Sequence, residues 1–162
     1  MNSLGPETPS ASGPVRLGSR APDFSLPNQN GESVRLYDYV GKSAVVLYFY
    51  PKDNTGGCTK EACAFRDSYE AFTEAGAEVI GVSSDPPDSH AGFARQYRLP
   101  FILLSDVGGS VRKLYGVPKT FGLIPGRVTY VIDRNGIVRH IFSNQFAAEK
   151  HVTEALKTLT GT

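Results

Sequence analysis

The side chains best suited to chemistry are two cysteines, Cys58 and Cys63, which are separated by four residues. A small secreted scaffold held by disulfides would carry more cysteines in a shorter chain. If both lie on one α-helix, their Cα atoms are roughly 8.5 Å apart, whereas a disulfide needs them within about 7 Å. Either the pair never forms a disulfide, or the first helical turn unwinds when it does. The spacing therefore favours a disulfide that forms and breaks during a reaction over a permanent structural one.

Cys58 lies where a buried strand, a loop and a helix N-terminus are predicted to meet. The unpaired N–H groups and the positive dipole end of a first helical turn favour a thiolate over a thiol. Gly56 and Gly57 allow the backbone to approach a bound oxygen atom closely, and the Thr55 hydroxyl can lie beside the sulfur. A small, inert, buried cysteine is the alternative interpretation, because Cys58 precedes Ala62 by four residues on the apolar face of the helix.

Apolar runs and turn signals predict the elements that position this pair. Residues 44–50 form a continuous apolar run typical of a central strand, and residues 58–75 show the three- and four-residue apolar spacing of a helix. A hairpin is predicted before them, at residues 24–36 around the turn at 28–31. The later predictions are strands at 77–83, 101–104, 127–132 and 137–142, and helices at 85–98, 109–115 and 148–159.

This order of elements predicts an α/β fold of the thioredoxin-like kind: a mixed central β-sheet flanked by helices, with an N-terminal hairpin. Of 162 residues, 40% are hydrophobic and 20% charged, and residues 15–162 are expected to form a single domain. Residues 1–14, rich in Ser, Gly and Pro, are expected to be a disordered tail and not a secretory signal. A net charge of +1 without a basic block argues against nucleic acid as a partner, and no apolar run reaches the length of a membrane span.

The segment at 48–67 (YFYPKDNTGGCTKEACAFRD) carries the most specific motif, Pro51-x3-Thr55-x2-Cys58 with Cys63 following it. It closely resembles peroxiredoxins of the Q type, also called bacterioferritin-comigratory proteins. The likeness covers nearly everything from about residue 21 onward, including the segments EVIGVS (78–83), LSD (104–106), VRK (111–113), GVP (116–118), PGR (125–127), YVID (130–133) and NQF (144–146). The resemblance implies a thiol-dependent peroxidase that reduces hydrogen peroxide and organic hydroperoxides.

The resemblance also implies a role for each residue that matches the family motif. Cys58 matches the cysteine that attacks the peroxide, and Cys63 matches the resolving cysteine that forms an intramolecular disulfide with it. Thr55 matches the hydroxyl that hydrogen-bonds the peroxide, Pro51 the residue that shields the thiolate from water, and Arg127 the arginine that stabilises thiolate and peroxide. Thioredoxin or a similar dithiol protein is the implied reductant, no cofactor is implied, and Q-type relatives are mostly monomers.

One position departs from the family pattern, since Gly56 stands where Q-type members usually have proline. Glycine has more conformational freedom than proline in unfolded and locally opened chains. We therefore expect the chemistry to survive, with a looser loop before Cys58 and a site that unwinds more easily.

The remaining polar residues receive plainer interpretations. The histidines show no metal-ligand spacing with one another or with the cysteines, so no metal site is predicted and a surface position is expected for His90, His140 and His151. Three acidic residues near the cysteines are expected to form a solvated face: Asp53, Glu61 and Asp67.

Two other functions stay open on the sequence. A disulfide reductase of the thioredoxin kind usually has a Cys-x-x-Cys pair, and the wider gap here disfavours it. A redox sensor that uses the same disulfide as a switch is compatible with every motif above. A bacterial cytoplasm is the expected compartment because the chain begins with Met1, and a chloroplast is the alternative because the segments at 125–127 and 144–146 resemble photosynthetic members.

Overall fold

The computed structural model describes residues 15–120, 124–145 and 147–161, so the predicted tail at residues 1–14 lies outside the described residues. The elements, in chain order, are β1 (Ser25–Pro27), β2 (Ser33–Arg35), a short 3-10 helix (Leu36–Tyr39), β3 (Ala44–Phe49), α1 (Gly56–Asp67), α2 (Tyr69–Glu74), β4 (Ala77–Ser83), α3 (Pro87–Tyr97), β5 (Ile102–Ser105), α4 (Ser110–Tyr115), β6 (Lys119–Thr120), β7 (Ile124–Pro125), β8 (Val128–Ile132), β9 (Val138–Ser143) and α5 (Ala148–Thr160). The strands and helices predicted from the sequence therefore occur, except that the helix predicted at 58–75 is divided in two.

A five-stranded mixed sheet forms the centre of the fold, with the strand order β5-β4-β3-β8-β9. β3 is parallel to β4, which is parallel to β5, while β8 is antiparallel to both β3 and β9. β3 is buried along its whole length, as its apolar sequence predicts. The predicted N-terminal hairpin is confirmed as the antiparallel pair β1–β2.

Helices cover both faces of this sheet, and each face has its own apolar core. Side chains alternate along β3, so that Phe49 packs on one face with Tyr115 of α4 and Tyr48 packs on the other with Phe65 of α1. The rings of Tyr48 and Phe65 stack with centroids 4.5 Å apart. Burying each such side chain contributes about 1.5–3 kcal/mol, so α1 is held on the sheet mainly by this apolar face. None of the described helices is long and apolar enough to cross a membrane.

The break between α1 and α2 falls at Ser68. The Ser68 amide donates to the carbonyls of Ala64 and Phe65 at 3.2 Å each, which closes α1 before α2 begins. Phe72 of α2 still packs against Phe65 with ring centroids 5.6 Å apart. The apolar periodicity that predicts one helix therefore reflects one continuous buried face, and Gly76, at φ 81°, follows the end of α2.

Candidate active site

Cys58 lies in the first turn of α1, beyond the end of β3, and its side chain is 1% exposed. Arg127 immediately precedes β8 and donates from Nη2 to the Cys58 sulfur at 3.4 Å, although 69 residues separate the two in the chain. The register of the sheet explains this meeting, because Phe49 at the end of β3 pairs with Val128 at the start of β8. The guanidinium and the positive end of α1 therefore both lie beside the Cys58 sulfur.

The two glycines before Cys58 have different surroundings. A Cβ atom at Gly57 would lie 2.9 Å from Nη2 of Arg127, closer than real Cβ contacts come. The absence of a side chain at Gly57 therefore gives the guanidinium its place beside the sulfur. A Cβ atom at Gly56 would meet nothing within 4 Å, so that position has room for a side chain.

The other three predicted site residues surround this pair. Thr55 is the exposed N-cap residue of α1, and its hydroxyl donates to the Lys52 carbonyl at 3.0 Å, which turns it away from the helix amides. Pro51 is half-buried at the start of the loop that leads to α1. Cys63 is half-buried further along α1, and both thiols are free. The structure thus joins Cys58 to Arg127 directly, while the roles of Thr55, Pro51 and Cys63 stay predictions.

Glu61 is fully buried behind the guanidinium, so the expected position on a solvated face is wrong. Nη1 of Arg127 donates to its Oε1 at 2.5 Å. Burial raises the pKa of Glu61 to about 8, although the charge of Arg127 acts in the opposite direction. The sequence did contain a signal, because Glu61 shares the three- and four-residue spacing of the buried face with Cys58, Ala62 and Phe65.

His151 of α5 is also fully buried, against the expected surface position. Its Nε2 lies 2.8 Å from the Asn144 carbonyl, and its Nδ1 lies 2.7 Å from the Thr129 hydroxyl. The same Nδ1 is 3.6 Å from Oε2 of Glu61. Burial, with a smaller contribution from the charge of Arg127, lowers the pKa of His151 to about 4, although the hydrogen bond to the Asn144 carbonyl acts in the opposite direction. Position 151 lies on the buried face of α5 with Ala148, Val152 and Ala155. This helical spacing was the feature of the sequence that indicated burial of His151.

The loop between β3 and α1, residues 50–55, is held in place by the buried pair of Asp53 and His90. Asp53 accepts hydrogen bonds from the Tyr50 hydroxyl at 2.6 Å and from Nδ1 of His90 at 2.7 Å. The other ring nitrogen of His90 lies 2.9 Å from the Leu104 carbonyl, which can only accept. Asp53 and His90 are both buried, so the expected solvated and surface positions are wrong for them as well. Asp67 is exposed, as expected, and His140 is half-buried.

Three potential metal-ligand atoms of Asp53, Asp85 and His90 lie within 4.8 Å of one another. Each carboxylate already has hydrogen-bond donors: Ser89 donates to Asp53 at 2.8 Å, Ser83 donates to Asp85 at 2.6 Å, and the Asp53 amide donates to Asp85 at 2.8 Å. Together with the Tyr50 hydroxyl, these donors engage both oxygens of Asp53 and Oδ2 of Asp85. The group is therefore a structural network that holds the loop.

A second buried arginine, Arg112 of α4, joins the two strand ends that carry the site. It donates to the Tyr50 carbonyl at 2.9 Å and to the Gly126 carbonyl at 3.2 Å. Burial lowers the pKa of Arg112. One guanidinium thereby fixes the residue after β3 and the residue before Arg127. Sequence reasoning gave Arg112 no role, because a single arginine in a short helix carries no sign of burial.

Known protein sequences similar to this one point to a single family. A family model described as the AhpC/TSA family matches residues 17–141. Peroxiredoxin Q, chloroplastic, from Triticum aestivum is 57% identical over 148 residues, which cover 91% of this chain and 68% of the relative. The protein of the same name from Arabidopsis thaliana is 60% identical over 146 residues, covering 90% of this chain and 67% of the relative.

Solved structures agree with the sequences. Peroxidoxin BcpB from Mycobacterium tuberculosis has a TM-score of 0.84 at 39% identity, covering 91% of this chain and 97% of that one. A bacterioferritin comigratory protein from Xanthomonas campestris has a TM-score of 0.78 at 28% identity, covering 85% of this chain and 90% of that one. The predicted thioredoxin-like fold and the resemblance to Q-type peroxiredoxins are both confirmed. The chain therefore belongs to the AhpC/TSA family, and it is a thiol peroxidase of the peroxiredoxin type.

Proposed function

We propose that Cys58 is the nucleophile of this peroxidase. The observation that supports it most directly is the 3.4 Å hydrogen bond from Nη2 of Arg127 to a buried sulfur at a helix N-terminus. The thiolate attacks one oxygen of the hydroperoxide, and the S–O bond forms as the O–O bond breaks. The departing oxygen takes the electron pair and then a proton, which gives an alcohol, or water from hydrogen peroxide. Cys58 is left as a sulfenic acid.

Arg127, Thr55 and Pro51 prepare this step in the proposal. The Arg127 cation stabilises the thiolate and the negative charge on the departing oxygen. The exposed Thr55 hydroxyl turns from the Lys52 carbonyl towards the bound peroxide, a change that gives up one exposed hydrogen bond. Pro51 keeps water from the thiolate at the start of the loop. These roles rest on the positions of the residues around Cys58 and on the family motif.

Cys63 completes the cycle as the resolving cysteine. Its sulfur attacks the Cys58 sulfenic acid, so that an S–S bond forms and water leaves. Both cysteines lie on α1, whose intact geometry keeps their Cα atoms roughly 8.5 Å apart, so the first turns of α1 unwind in this step. Thioredoxin or a similar dithiol protein then reduces the disulfide by thiol–disulfide exchange.

The proposed substrates are hydrogen peroxide and organic hydroperoxides. The Xanthomonas campestris relative is described as reducing alkyl peroxides, which supports the organic substrates. The Triticum and Arabidopsis relatives are named chloroplastic, which favours the chloroplast over a bacterial cytoplasm as the compartment. A monomer suffices for the cycle, because one chain supplies both cysteines.

The test is peroxide consumption with thioredoxin and thioredoxin reductase, followed by intact mass. Cys58→Ser should abolish turnover, because a serine hydroxyl is hardly ionised near neutral pH. Cys63→Ser should react once with peroxide and then over-oxidise to the sulfinic acid, without an internal disulfide. Substantial turnover in the Cys58 variant contradicts the nucleophile, and full cycling in the Cys63 variant contradicts the resolving role. Stoichiometric oxidation of the wild type without turnover favours a redox sensor.

A further inference from the structure

Glu61 presents two carboxylate oxygens to very different surroundings. Oε1 accepts from Nη1 of Arg127 at 2.5 Å, whereas Oε2 is buried and has no hydrogen-bond partner. Nδ1 of His151 lies 3.6 Å from Oε2. A buried carboxylate oxygen without a donor is costly, because its lost hydration is not replaced.

His151 shows which of its nitrogens holds a proton. Nε2 lies 2.8 Å from the Asn144 carbonyl, which can only accept, so Nε2 carries a hydrogen. Nδ1 faces the Thr129 hydroxyl at 2.7 Å and Oε2 of Glu61 beyond it. In a neutral imidazole with its hydrogen on Nε2, Nδ1 is therefore an acceptor.

The cluster of Glu61, His151 and Thr129 lacks one hydrogen. Three acceptor atoms meet in it: Oε2 of Glu61, Nδ1 of His151 and Oγ1 of Thr129. With Glu61 ionised and His151 neutral, the Thr129 hydroxyl donates the cluster's single hydrogen to Nδ1, and the charged Oε2 faces no hydrogen at all. A further proton on Oε2 removes this unpaired buried charge, and Nδ1 cannot hold that proton because its single lone pair already accepts from Thr129.

We propose that Glu61 is a neutral carboxylic acid in the reduced enzyme, with its proton on Oε2 beside a neutral His151, and that this neutral pair leaves the charge of Arg127 to the Cys58 thiolate. Glu61 is then a positioning residue: its carbonyl oxygen orients the guanidinium without cancelling its charge. The inference rests on the proposed function for the role of Cys58 and deepens it.

The titration behaviour of both partners supports this assignment. Burial raises the pKa of Glu61 to about 8, and burial lowers the pKa of His151 to about 4, so both are uncharged near pH 7. The other titratable groups that bear on the pair are Arg127, Cys58 and Tyr48. Burial raises the pKa of Tyr48 well above its usual value, so Tyr48 adds no charge.

Infrared spectroscopy of the reduced protein tests the proton directly. At pH 6.5, where an exposed glutamate is ionised, the wild type should show the carbonyl band of a protonated carboxylic acid. Glu61→Gln should lose this band. Glu154→Gln is the matched control, because Glu154 pairs with His140 at a partly exposed site, 3.0 Å apart, and should retain the band. Nitrogen-15 NMR of wild-type His151 should show a neutral ring with its hydrogen on Nε2.

The rate of the first peroxide reaction provides a second readout. Above about pH 8 Glu61 ionises and neutralises Arg127, so the rate constant should fall by up to about tenfold between pH 7 and 9. Glu61→Gln should remove this alkaline decline, and Glu154→Gln should keep it. A missing acid band, a doubly protonated His151, or an alkaline decline that persists in Glu61→Gln overturns the inference. The spectra need no peroxide, so they decide the protonation state even if Cys58 proves not to be the nucleophile.

Discussion

The two segments that flank Cys58 are held in opposite ways. On one side, the loop at 50–55 is anchored through Asp53, whose amide donates to the half-buried Asp85 and whose carboxylate accepts from the buried His90, both in the β4–α3 region. On the other side, the first turn of α1 has no side-chain cap, and it begins with two exposed glycines. We infer from this contrast that the site opens towards α1 while the loop stays in place.

The interactions that hold the loop and those that hold the start of α1 also differ in kind. Leaving one partner of a buried ion pair uncompensated costs about 3–5 kcal/mol, which protects the Asp53–His90 side. The start of α1 is held by backbone hydrogen bonds, each with a net contribution of about 0.5–1.5 kcal/mol, by the packing of Ala62, and by the bonds of Cys58 and Glu61 to Arg127. We expect local opening to begin at the uncapped glycines of α1 and to stop at the loop.

Forming the Cys58–Cys63 disulfide should widen the difference between the two sides most strongly. We expect amide exchange at residues 57–66 to rise by about a hundredfold or more, because the bridge does not fit an intact helix. Amides at 50–54 and in α3 should keep their protection. Hydrogen exchange on both redox forms, with the disulfide confirmed by mass, gives the comparison. Equal protection of residues 57–66 in the two forms would show that the pair bridges without unwinding.

Removing the anchor should make the loop as labile as the helix. Asp53→Asn leaves His90 without its charged partner, so the free energy of unfolding should fall by about 3–5 kcal/mol, and exchange at 50–55 should rise. Urea unfolding measures the first effect. The matched control is Glu154→Gln, which breaks a partly exposed pair with His140 and should change stability by less than about 1 kcal/mol. Similar losses in the two variants would contradict the anchoring role.

Raising the pH should weaken α1 without affecting the loop. The folded pKa of Glu61, about 8, exceeds its usual 4.5, so helix stability from this group declines as the pH rises from 4.5 to 8. The folded pKa of His151, about 4, lies below its usual 6.5, so its contribution is lost as the pH falls from 6.5 to 4. Below pH 6.5 the stability changes from Glu61 and His151 oppose each other. Above pH 6.5 only the titration of Glu61 changes the stability.

We therefore expect the opening equilibrium of residues 57–66 in the reduced protein to rise by up to about tenfold per pH unit between pH 6.5 and 8. Hydrogen exchange, corrected for the intrinsic pH dependence of amides, measures this equilibrium. Glu61→Gln should be flat over the same range. A rise of the same size in that variant would assign the effect to another group.

Restoring the family's proline at position 56 should have the smallest effect. Thr55 has φ −88° and ψ 157°, the extended backbone that a following proline requires, and a Cβ atom at Gly56 meets nothing within 4 Å. Gly56→Pro should stabilise the closed site by about 0.4–1 kcal/mol and slow disulfide formation about two- to fivefold. Quenched-flow mass spectrometry measures that rate. Gly56→Ala separates the loss of glycine from the effect of the proline ring, and an unchanged rate in both variants removes Gly56 from the opening step.

The sequence predicted the sheet well because buried strands and helix faces leave periodic apolar patterns. The predicted position of Cys58 at the start of a helix marked it as a site residue. Arg127 was predicted only from the family resemblance, because strand register is not visible in one sequence. The buried polar residues were misplaced, although Glu61, His90 and His151 each occupy the buried face of a helix. Their burial depends on partners from other elements, which the spacing along one helix does not reveal. The pair β6–β7 was missed because strands of two residues carry no alternation.

The pairing of Phe49 with Val128 makes peroxide turnover a reporter of folding fidelity. A slip of one residue between β3 and β8 turns every side chain of β8 to the opposite face of the sheet. It also moves the start of β8 by about 3.4 Å along the strand, which carries Arg127 away from the Cys58 sulfur. A misregistered sheet can keep a normal content of strand and helix and still be inactive. In a library of variants of the β3–β8 pair, surviving activity would therefore select the correct register, which bulk spectroscopy does not distinguish.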